Sequence, residues 1–236
     1  MKKIALVVGD PEYSSHLSMP RIAEELTKRF GYKTTMCVTS IVPDEPAFAI
    51  SEFSNLEALA DADLMVVYTR FRVLPDRQME MIKTYLDSGR PVAGLRTATH
   101  SFHFPASSKW HSWNDGFGRD VAGTPWISHH GHSSSTDVSV VETAKRHPIL
   151  NGVSSQFRVR SWLYHVLPLA KPCEQLLWGR PIDPECKPQE NPVAWTTTHN
   201  RGRVFFTTLG HPEDFDVPSF RTLLVNGIRW TLGDLT

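Results

Sequence analysis

A proton-transfer pair stands at the end of the last hydrophobic strand of the sequence. The tetrapeptide Gly210-His211-Pro212-Glu213 follows the apolar run 203–209, so an imidazole and a carboxylate are close together where a strand ends. Open α/β sheets bind ligands at the carboxyl ends of their strands. A histidine held by a carboxylate can move a proton near neutral pH. We therefore predict that His211 is a catalytic general base or acid and that Glu213 orients it.

A second strand-ending turn has the pattern of a nucleophile elbow without the nucleophile. In the segment 94–100, Gly-Leu-Arg-Thr-Ala-Thr-His, Arg96 stands where such chemistry needs Cys or Ser. An elbow presents its central side chain to the cleft, and a guanidinium fork suits carboxylate, phosphate or vicinal hydroxyl oxygens. The pattern predicts that Arg96 binds substrate. His100 is a second candidate, with bracing of the following helix as the alternative.

Polar side chains also follow the first and third predicted strands. Tyr13 and His16 come after the first strand, and Arg70 and Arg72 come after the third. Residues distant in sequence converge at such positions, because the carboxyl ends of parallel strands open on one edge of the sheet. All four are therefore predicted to bind substrate, although the two arginines could instead pair with surface carboxylates.

Histidines and aromatic residues cluster in the middle of the chain. The run Ser128-His129-His130-Gly131-His132 allows a metal reading, since histidine is a common zinc ligand, but no acidic residue lies close by in sequence. We interpret the run as a loop that presents His132 to a sugar-like ligand, and we predict neither a metal nor another cofactor. His165 follows Trp162 and Tyr164, whose rings could stack on a sugar face, so it is also predicted to bind substrate.

Alternating strand and helix patterns must position these residues. The predicted strands are 4–8, 33–38, 63–68, 91–95, 138–141, 176–178, 193–196 and 204–208, and the predicted helices are 20–30, 74–88 and 218–232. Continuous apolar runs are typical of strands buried on both faces of a parallel sheet. The alternation indicates an α/β fold, flavodoxin-like and doubly wound, with a mostly parallel sheet and helices on both faces. Residues 102–135 lack a sustained period and are predicted to form long loops.

Composition excludes several classes of partner. The 236 residues contain 25 Lys and Arg against 25 Asp and Glu, so no net charge favours nucleic acid or an acidic membrane. No apolar stretch reaches the roughly 20 residues needed to cross a bilayer. Cys37, Cys173 and Cys186 have neither metal-ligand nor redox-motif spacing, which favours a reducing, cytoplasmic compartment. We expect one domain over residues 1–236.

Several segments in the same order resemble the ThuA-like (trehalose utilisation) family, which has the class I glutamine amidotransferase-like fold. The segments that carry the resemblance are 9–13, 94–100, 147–149, 192–196, 202–211 and 224–230. In amidotransferases the elbow carries a Cys that a His-Pro-Glu element activates. Here His211-Pro212-Glu213 matches that element, but Arg96 replaces the Cys. Glutamine hydrolysis through a thioester is therefore excluded at this site.

The resemblance implies a small-molecule sugar as partner and a place in carbohydrate metabolism. The family is linked to trehalose and related disaccharides, and a keto-sugar or keto-glycoside is the implied substrate. The ketone acidifies its neighbouring carbon, so His211 could catalyse isomerisation, elimination or hydrolysis by moving a proton. The alternative is a non-catalytic sugar-binding or regulatory module that lost its nucleophile, and metal-assisted hydrolysis at residues 129–132 is a third reading. The sequence leaves open whether the C-terminal tryptophan segments pack internally or form a homo-oligomer interface.

Overall fold

The hydrophobic runs of the sequence form a mixed sheet with helices packed against it. The computed structural model describes residues 1–39, 49–182 and 189–236, so Cys186 lies outside the described residues. The strands are β1 Lys3–Gly9, β2 Lys33–Val38, β3 Leu64–Thr69, β4 Val92–Leu95, β5 Ser128–His129, β6 Thr136–Val140, β7 Gln156–Val159, β8 Tyr164–His165, β9 Glu174–Pro181, β10 Asn191–His199 and β11 Gly202–Thr207. The α-helices are α1 Ser15–Phe30, α2 Asp76–Asp87, α3 Trp113–Gly116 and α4 Pro218–Thr231.

Within the described residues, nine strands join one sheet in the order β2-β1-β3-β4-β11-β10-β9-β6-β7. The first five strands in this order pair in parallel. From β11 onward every neighbouring pair is antiparallel. β9 and β7 consequently run in the same direction as β1, so the sheet is mostly parallel, as predicted. β5 and β8 form a separate antiparallel ribbon.

Helices cover both faces of the parallel half of the sheet. Residues 4–8 of β1 are all buried, which requires cover on both sides because alternate side chains of a strand point to opposite faces. The β1-α1-β2 and β3-α2-β4 connections move in opposite directions along the sheet, so right-handed crossovers place α1 and α2 on opposite faces. α4 shares the face of α1, since Arg221 Nη2 and Glu25 Oε2 are 2.7 Å apart. The predicted doubly wound, flavodoxin-like α/β fold is confirmed.

The first helix begins earlier than the sequence pattern indicates. α1 starts at Ser15 and includes Pro20, whereas the pattern places the start after the proline. Ser14, with a φ of 48°, turns the chain into the helix, and a proline this close to the start removes one helical hydrogen bond. The end agrees with the prediction, because Gly31 has a φ of 70° and donates its N–H to the Thr27 carbonyl at 3.0 Å.

The middle of the chain contains more regular structure than the sequence predicts. β7 and β8 are unpredicted strands, and α3 with the π-helical segment Phe117–Ala122 lies inside the predicted loop region. Aromatic packing replaces hydrophobic periodicity here, since the Phe102 ring contacts the rings of Trp113 and Phe117 at 5.9 and 5.6 Å. Elements of two to six residues are too short to leave a periodic signal.

One edge of the sheet collects the strand ends that carry the candidate residues. β1, β3, β4 and β11 are parallel neighbours, so the segments after Gly9, Thr69, Leu95 and Thr207 all leave the sheet on the same edge. In the ranges that the structure describes, no helix has the length and apolar character to span a membrane.

Candidate functional site

Arg96 occupies a strained elbow at the end of β4. Its φ is 48°, a left-handed conformation that costs a non-glycine residue about 1 kcal/mol or more. The helical turn Arg96–His100 follows directly. Gly210, after β11, packs so closely against this elbow that an added Cβ would lie 3.3 Å from the Cβ of Arg96. The elbow and the turn that carries His211 are therefore in contact.

The guanidinium of Arg96 is completely buried beneath aromatic rings. It donates hydrogen bonds to the Trp162 and Thr208 carbonyls at 2.9 Å each and to the Tyr13 hydroxyl at 3.1 Å. The rings of Tyr13, Trp162 and Tyr164 lie 4.6, 4.9 and 4.2 Å from its central carbon. None of these contacts is a carboxylate. The arginine expected to face substrate is instead a cation enclosed under the wall of the crevice.

His211 lies against the same aromatic rings as Arg96. Its ring centroid is 6.0 Å from that of Tyr13 and 5.9 Å from that of Trp162, and 19% of its side chain is exposed. Burial is the largest influence on its pKa and lowers it, with Asp214 opposing this shift. The imidazole is therefore neutral at pH 7. The structure thus brings the predicted imidazole and guanidinium against the same aromatic rings, Tyr13 and Trp162.

Backbone geometry fixes the tautomer of His211. The N–H of Glu213 donates a hydrogen bond to Nδ1 at 3.3 Å, so the neutral ring carries its proton on Nε2. The carboxylate of Glu213 lies farther away, with Oε1 at 3.9 Å from Nδ1, and 70% of that side chain is exposed. The backbone N–H of Glu213 therefore contacts the ring more closely than its carboxylate does.

Asp214 is the buried carboxylate of this turn, and the sequence analysis missed it. It accepts hydrogen bonds from the N–H groups of Gly210 and His211 at 3.0 and 3.1 Å. It also accepts from the N–H groups of Arg160 and Ser161 at 2.8 and 3.1 Å and from the Ser161 hydroxyl at 2.5 Å. The side chain thus ties the His211 turn to the segment before Trp162. The available sequence signal was a capping box, an acidic residue three positions after the cap.

His100 lines the interior of the crevice as a neutral group. Its ring lies 4.8 Å from that of Phe71 and 4.7 Å from that of Trp126, and only 5% of the residue is exposed. Burial, followed by the charges of Arg70 and Arg96, lowers its pKa to about 3. The Thr99 hydroxyl is 2.9 Å from Nδ1, which holds the ring in place.

The two arginines after β3, Arg70 and Arg72, differ in exposure and in their contacts. Arg70 is about one third exposed, and its Nε lies 2.8 Å from Oε2 of Glu12, which is exposed to the same degree. Its guanidinium also covers the ring of Phe71 at 4.6 Å. Arg72 is 2% exposed and donates from Nε to the Gly9 carbonyl at 2.8 Å, so it holds the end of β1. Arg70 can therefore reach a ligand at the rim, whereas Arg72 points into the protein.

The two candidates after β1 also differ, because in the part of the chain that the structure describes Tyr13 contacts the other site residues and His16 does not. Tyr13 belongs to the crevice through its contacts with Arg96 and His211. His16 is half-buried in the first turn of α1, and in the described residues its Nδ1 meets no hydrogen-bond partner. The described contacts do not connect it to His211 or to Arg96.

The β5–β8 ribbon supplies the second wall of the crevice. His132 stacks on Trp162 with ring centroids 4.8 Å apart and planes 5° from parallel, and its Nε2 lies 3.1 Å from Nε2 of His129. His165 is on the other face of the ribbon, where the Ser128 hydroxyl is 2.7 Å from its Nδ1. Burial, followed by nearby histidines, lowers the pKa of His165. His132 therefore joins the site, and His165 supports the ribbon from behind.

A separate concave pocket of about 230 Å³ lies between the end of α2, α3 and the β10–β11 turn. Its lining includes Lys83, Asp87, Trp113 and His199, and none of the predicted site residues. Several of its polar side chains already have partners within the protein. Lys83 forms a salt bridge with Asp87, and His199 Nδ1 lies within hydrogen-bond distance of the Asp120 carbonyl. The chemistry therefore concentrates at the crevice rather than in this pocket.

The fold and the site define an α/β protein with a buried arginine in a left-handed conformation at the end of β4. The model of the ThuA family, described as trehalose utilisation, matches residues 5–231. The chain belongs to the ThuA family, and its field of action is carbohydrate metabolism. A comparison with curated protein sequences gave no match.

Solved structures share this fold at low sequence identity. A ThuA-like protein from Parabacteroides merdae has a TM-score of 0.72 and 16% identity, covering 100% of this chain and 91% of its own. A ThuA-like protein from Bacteroides uniformis has a TM-score of 0.66 and 15% identity, covering 98% and 91%. A cytoplasmic protein from Salmonella typhimurium has a TM-score of 0.52 and 12% identity, covering 98% and 99%. At these identities the likeness concerns the fold.

Proposed function

We propose that this protein is an enzyme that moves a proton on a keto-sugar or keto-glycoside, with His211 as the proton-transfer residue. One observation carries the proposal: the half-buried imidazole of His211 and the buried guanidinium of Arg96 contact the same two rings, Tyr13 and Trp162. A ketone acidifies the carbon beside it, and proton transfer at that carbon gives an enolate whose charge lies on oxygen. The crevice combines a proton donor with a fixed positive charge for that oxygen.

His211 acts on the oxygen of the substrate ketone. Its Nδ1 accepts the Glu213 N–H, so the neutral ring presents Nε2–H as a hydrogen-bond donor. A neutral imidazole can share this proton with the enolate oxygen and recover it when the carbon is reprotonated. Protonation of the ring at low pH would disturb this arrangement, and the lowered pKa of His211 keeps the ring neutral near pH 7.

Arg96 supports this chemistry from beneath the rings. Its charge is held in a site without exposed surface, where electrostatic effects are stronger than in water. Two carbonyls and one phenol fix its position, so little reorganisation is needed as the enolate forms. The strained elbow maintains this placement. We assign Arg96 a positioning and electrostatic role in place of direct substrate binding.

Glu12 is the proposed base for the carbon-bound proton. It lies next to Tyr13 in sequence, is about one third exposed and is paired with Arg70 at the rim. The proton leaves carbon for the carboxylate, the electron pair moves to the ketone oxygen, and His211 donates a hydrogen bond there. If Glu12 exchanges this proton with solvent before a proton returns to the same carbon, the sugar takes up deuterium. If a proton instead goes to the former carbonyl carbon, after a proton shift between the two oxygens, the product is an isomer.

Incubation with a panel of 3-keto-disaccharides in deuterated buffer tests this proposal. We expect deuterium to enter the carbon beside the ketone of at least one sugar, as followed by NMR, and the Glu12→Gln variant to slow this uptake by about 100-fold. Glu57→Gln, a change at an exposed glutamate outside the crevice, is the matched control. Absence of uptake with every sugar would refute the enzyme proposal.

A non-catalytic sugar-binding module is the second candidate. The buried Arg96 at the nucleophile position favours it, since a guanidinium cannot form the covalent bond to substrate that Cys or Ser would form there. Binding of a keto-sugar without uptake or conversion would support this alternative.

We further propose a cytoplasmic location, which is supported by the fold shared with the Salmonella cytoplasmic protein.

A further inference from the structure

His129 at the end of β5 and His132 in the loop after it lie as close together as two ligands of one bound cation. Nε2 of His129 and Nε2 of His132 are 3.1 Å apart. Two imidazole nitrogens that ligate the same tetrahedral zinc ion lie about 3.3 Å apart, given zinc–nitrogen bonds of about 2.0–2.1 Å. The observed separation therefore suits a shared metal ion as well as it suits a hydrogen bond.

The tautomer of His129 leaves a lone pair on the nitrogen that faces His132. Nδ1 of His129 contacts the backbone carbonyl of His130, and a carbonyl can only accept, so Nδ1 carries the proton. Metal-ligating histidines commonly donate their other N–H to a carbonyl in this way, which orients the ring and raises its basicity. The Nε2 atom of His129 is consequently prepared to bind a cation.

The surroundings hold the second ligand in position and keep the site open. His132 stacks flat on Trp162, and its carbonyl accepts a hydrogen bond from Arg160 at 3.2 Å. β5 pairs with β8 through His129 and Tyr164, which fixes the other side of the loop. His129 is half-buried and His132 is exposed, so ligands can enter from solvent.

We propose that His129 and His132 form a two-histidine site for a divalent, zinc-like cation whose remaining positions take vicinal hydroxyl oxygens of the substrate. In the described ranges no three His, Cys, Asp or Glu side chains form a group that could hold a metal. Water or substrate oxygens therefore complete the coordination. The Trp162 ring contacts both His132 and His211, at centroid distances of 4.8 and 5.9 Å, so hydroxyl oxygens bound at the metal would anchor the substrate against the same ring as the proposed proton donor.

The identity of the substrate oxygens rests on the proposed function, but the metal site can be tested without substrate. Protein without a polyhistidine tag is stripped with a chelator and titrated with Zn²⁺ by calorimetry. We expect one equivalent to bind, and His129→Ala and His132→Ala each to weaken binding by more than about tenfold. The control is His111→Ala, an exposed histidine whose Nδ1 contacts the Phe104 carbonyl, and it should bind as the unaltered protein does.

Titration with Co²⁺ gives an independent spectroscopic reading. Visible absorption typical of nitrogen-ligated cobalt should appear with the unaltered protein and disappear with His129→Ala. Equal Zn²⁺ binding by all four proteins, or none by the unaltered protein, would overturn the metal proposal and leave a simple hydrogen bond between the two rings. Stoichiometric binding without deuterium uptake on any keto-sugar would retain the metal site and refute the proposed reaction instead.

Discussion

The parallel half of the sheet and the β5–β8 ribbon contribute different parts of the same crevice. The parallel half supplies groups that are buried and tightly bonded, Arg96 and His100 above all. The ribbon and the loop that follows β5 supply more open rings, with His132 exposed and His129 half-buried. Rigid strand ends can hold chemical groups to within fractions of an ångström, whereas a short ribbon can vary in shape and sequence. We infer that the parallel half determines which reaction is catalysed and that the ribbon determines which ligand binds.

Asp214 ties the His211 turn after β11 to Arg160 and Ser161, just before Trp162, so its removal should have the largest effect on stability. Asp214→Asn keeps the size of the side chain but directs an amide N–H₂ toward groups that themselves donate hydrogen bonds. We expect a loss of about 3 kcal/mol in the free energy of unfolding, measured in urea. Glu213→Gln, one residue away and exposed, should change it by less than about 0.5 kcal/mol. Similar losses in the two variants would contradict the linking role of Asp214.

The buried histidine of the parallel half should make stability depend on pH. The folded pKa of His100 is about 3, below its ordinary value of 6.5, so the unfolded chain takes up the proton first as the pH falls. Stability from this group is present above pH 6.5 and is lost between pH 6.5 and 3, at up to about 1.4 kcal/mol per pH unit.

The variant His100→Asn isolates this contribution. Urea unfolding of both proteins across that pH range should give a shallower pH dependence for the variant. Parallel curves would show that His100 can be protonated in the folded protein and would weaken the contrast between the two regions.

The ring of Trp162 should affect the affinity for substrate more than the turnover rate. Trp162→Leu removes the ring against which His132 stacks and that His211 contacts. We expect KM for a keto-disaccharide to rise about fivefold, corresponding to about 1 kcal/mol of ring contact, with a smaller change in kcat. Trp178→Leu, in β9 and outside the crevice, is the control and should leave KM unchanged. An effect confined to kcat would place Trp162 with the reacting groups instead.

The same contrast explains which parts of the site the sequence could predict. His211, Arg96 and Tyr13 follow strands that read as continuous apolar runs in the sequence, and the rule that parallel strand ends converge was enough to bring them together. The burial of Arg96 was not predictable, because its cover comes from Trp162 and Tyr164, on a segment too short to carry a periodic signal.

Local pattern also missed a second acidic residue in the His211 turn. Glu213 matches the His-Pro-Glu element and drew the prediction, but its side chain is 70% exposed. Asp214 is the buried carboxylate, since the helical turn Pro212–Asp216 points that side chain inward. Side-chain direction in a five-residue turn depends on tertiary packing, which the sequence alone does not reveal. The doubly wound fold, by contrast, follows from continuous apolar strands that alternate with helical patterns.

The central claim is that His211 transfers a proton in the crevice it shares with Arg96. The most direct test compares the rate of deuterium uptake into a 3-keto-disaccharide by His211→Gln with the rates of Glu213→Gln and the unaltered protein. We expect His211→Gln to be slower by about 100-fold or more with an unchanged Tm, and Glu213→Gln to remain close to the unaltered protein. Full uptake by His211→Gln would contradict the account.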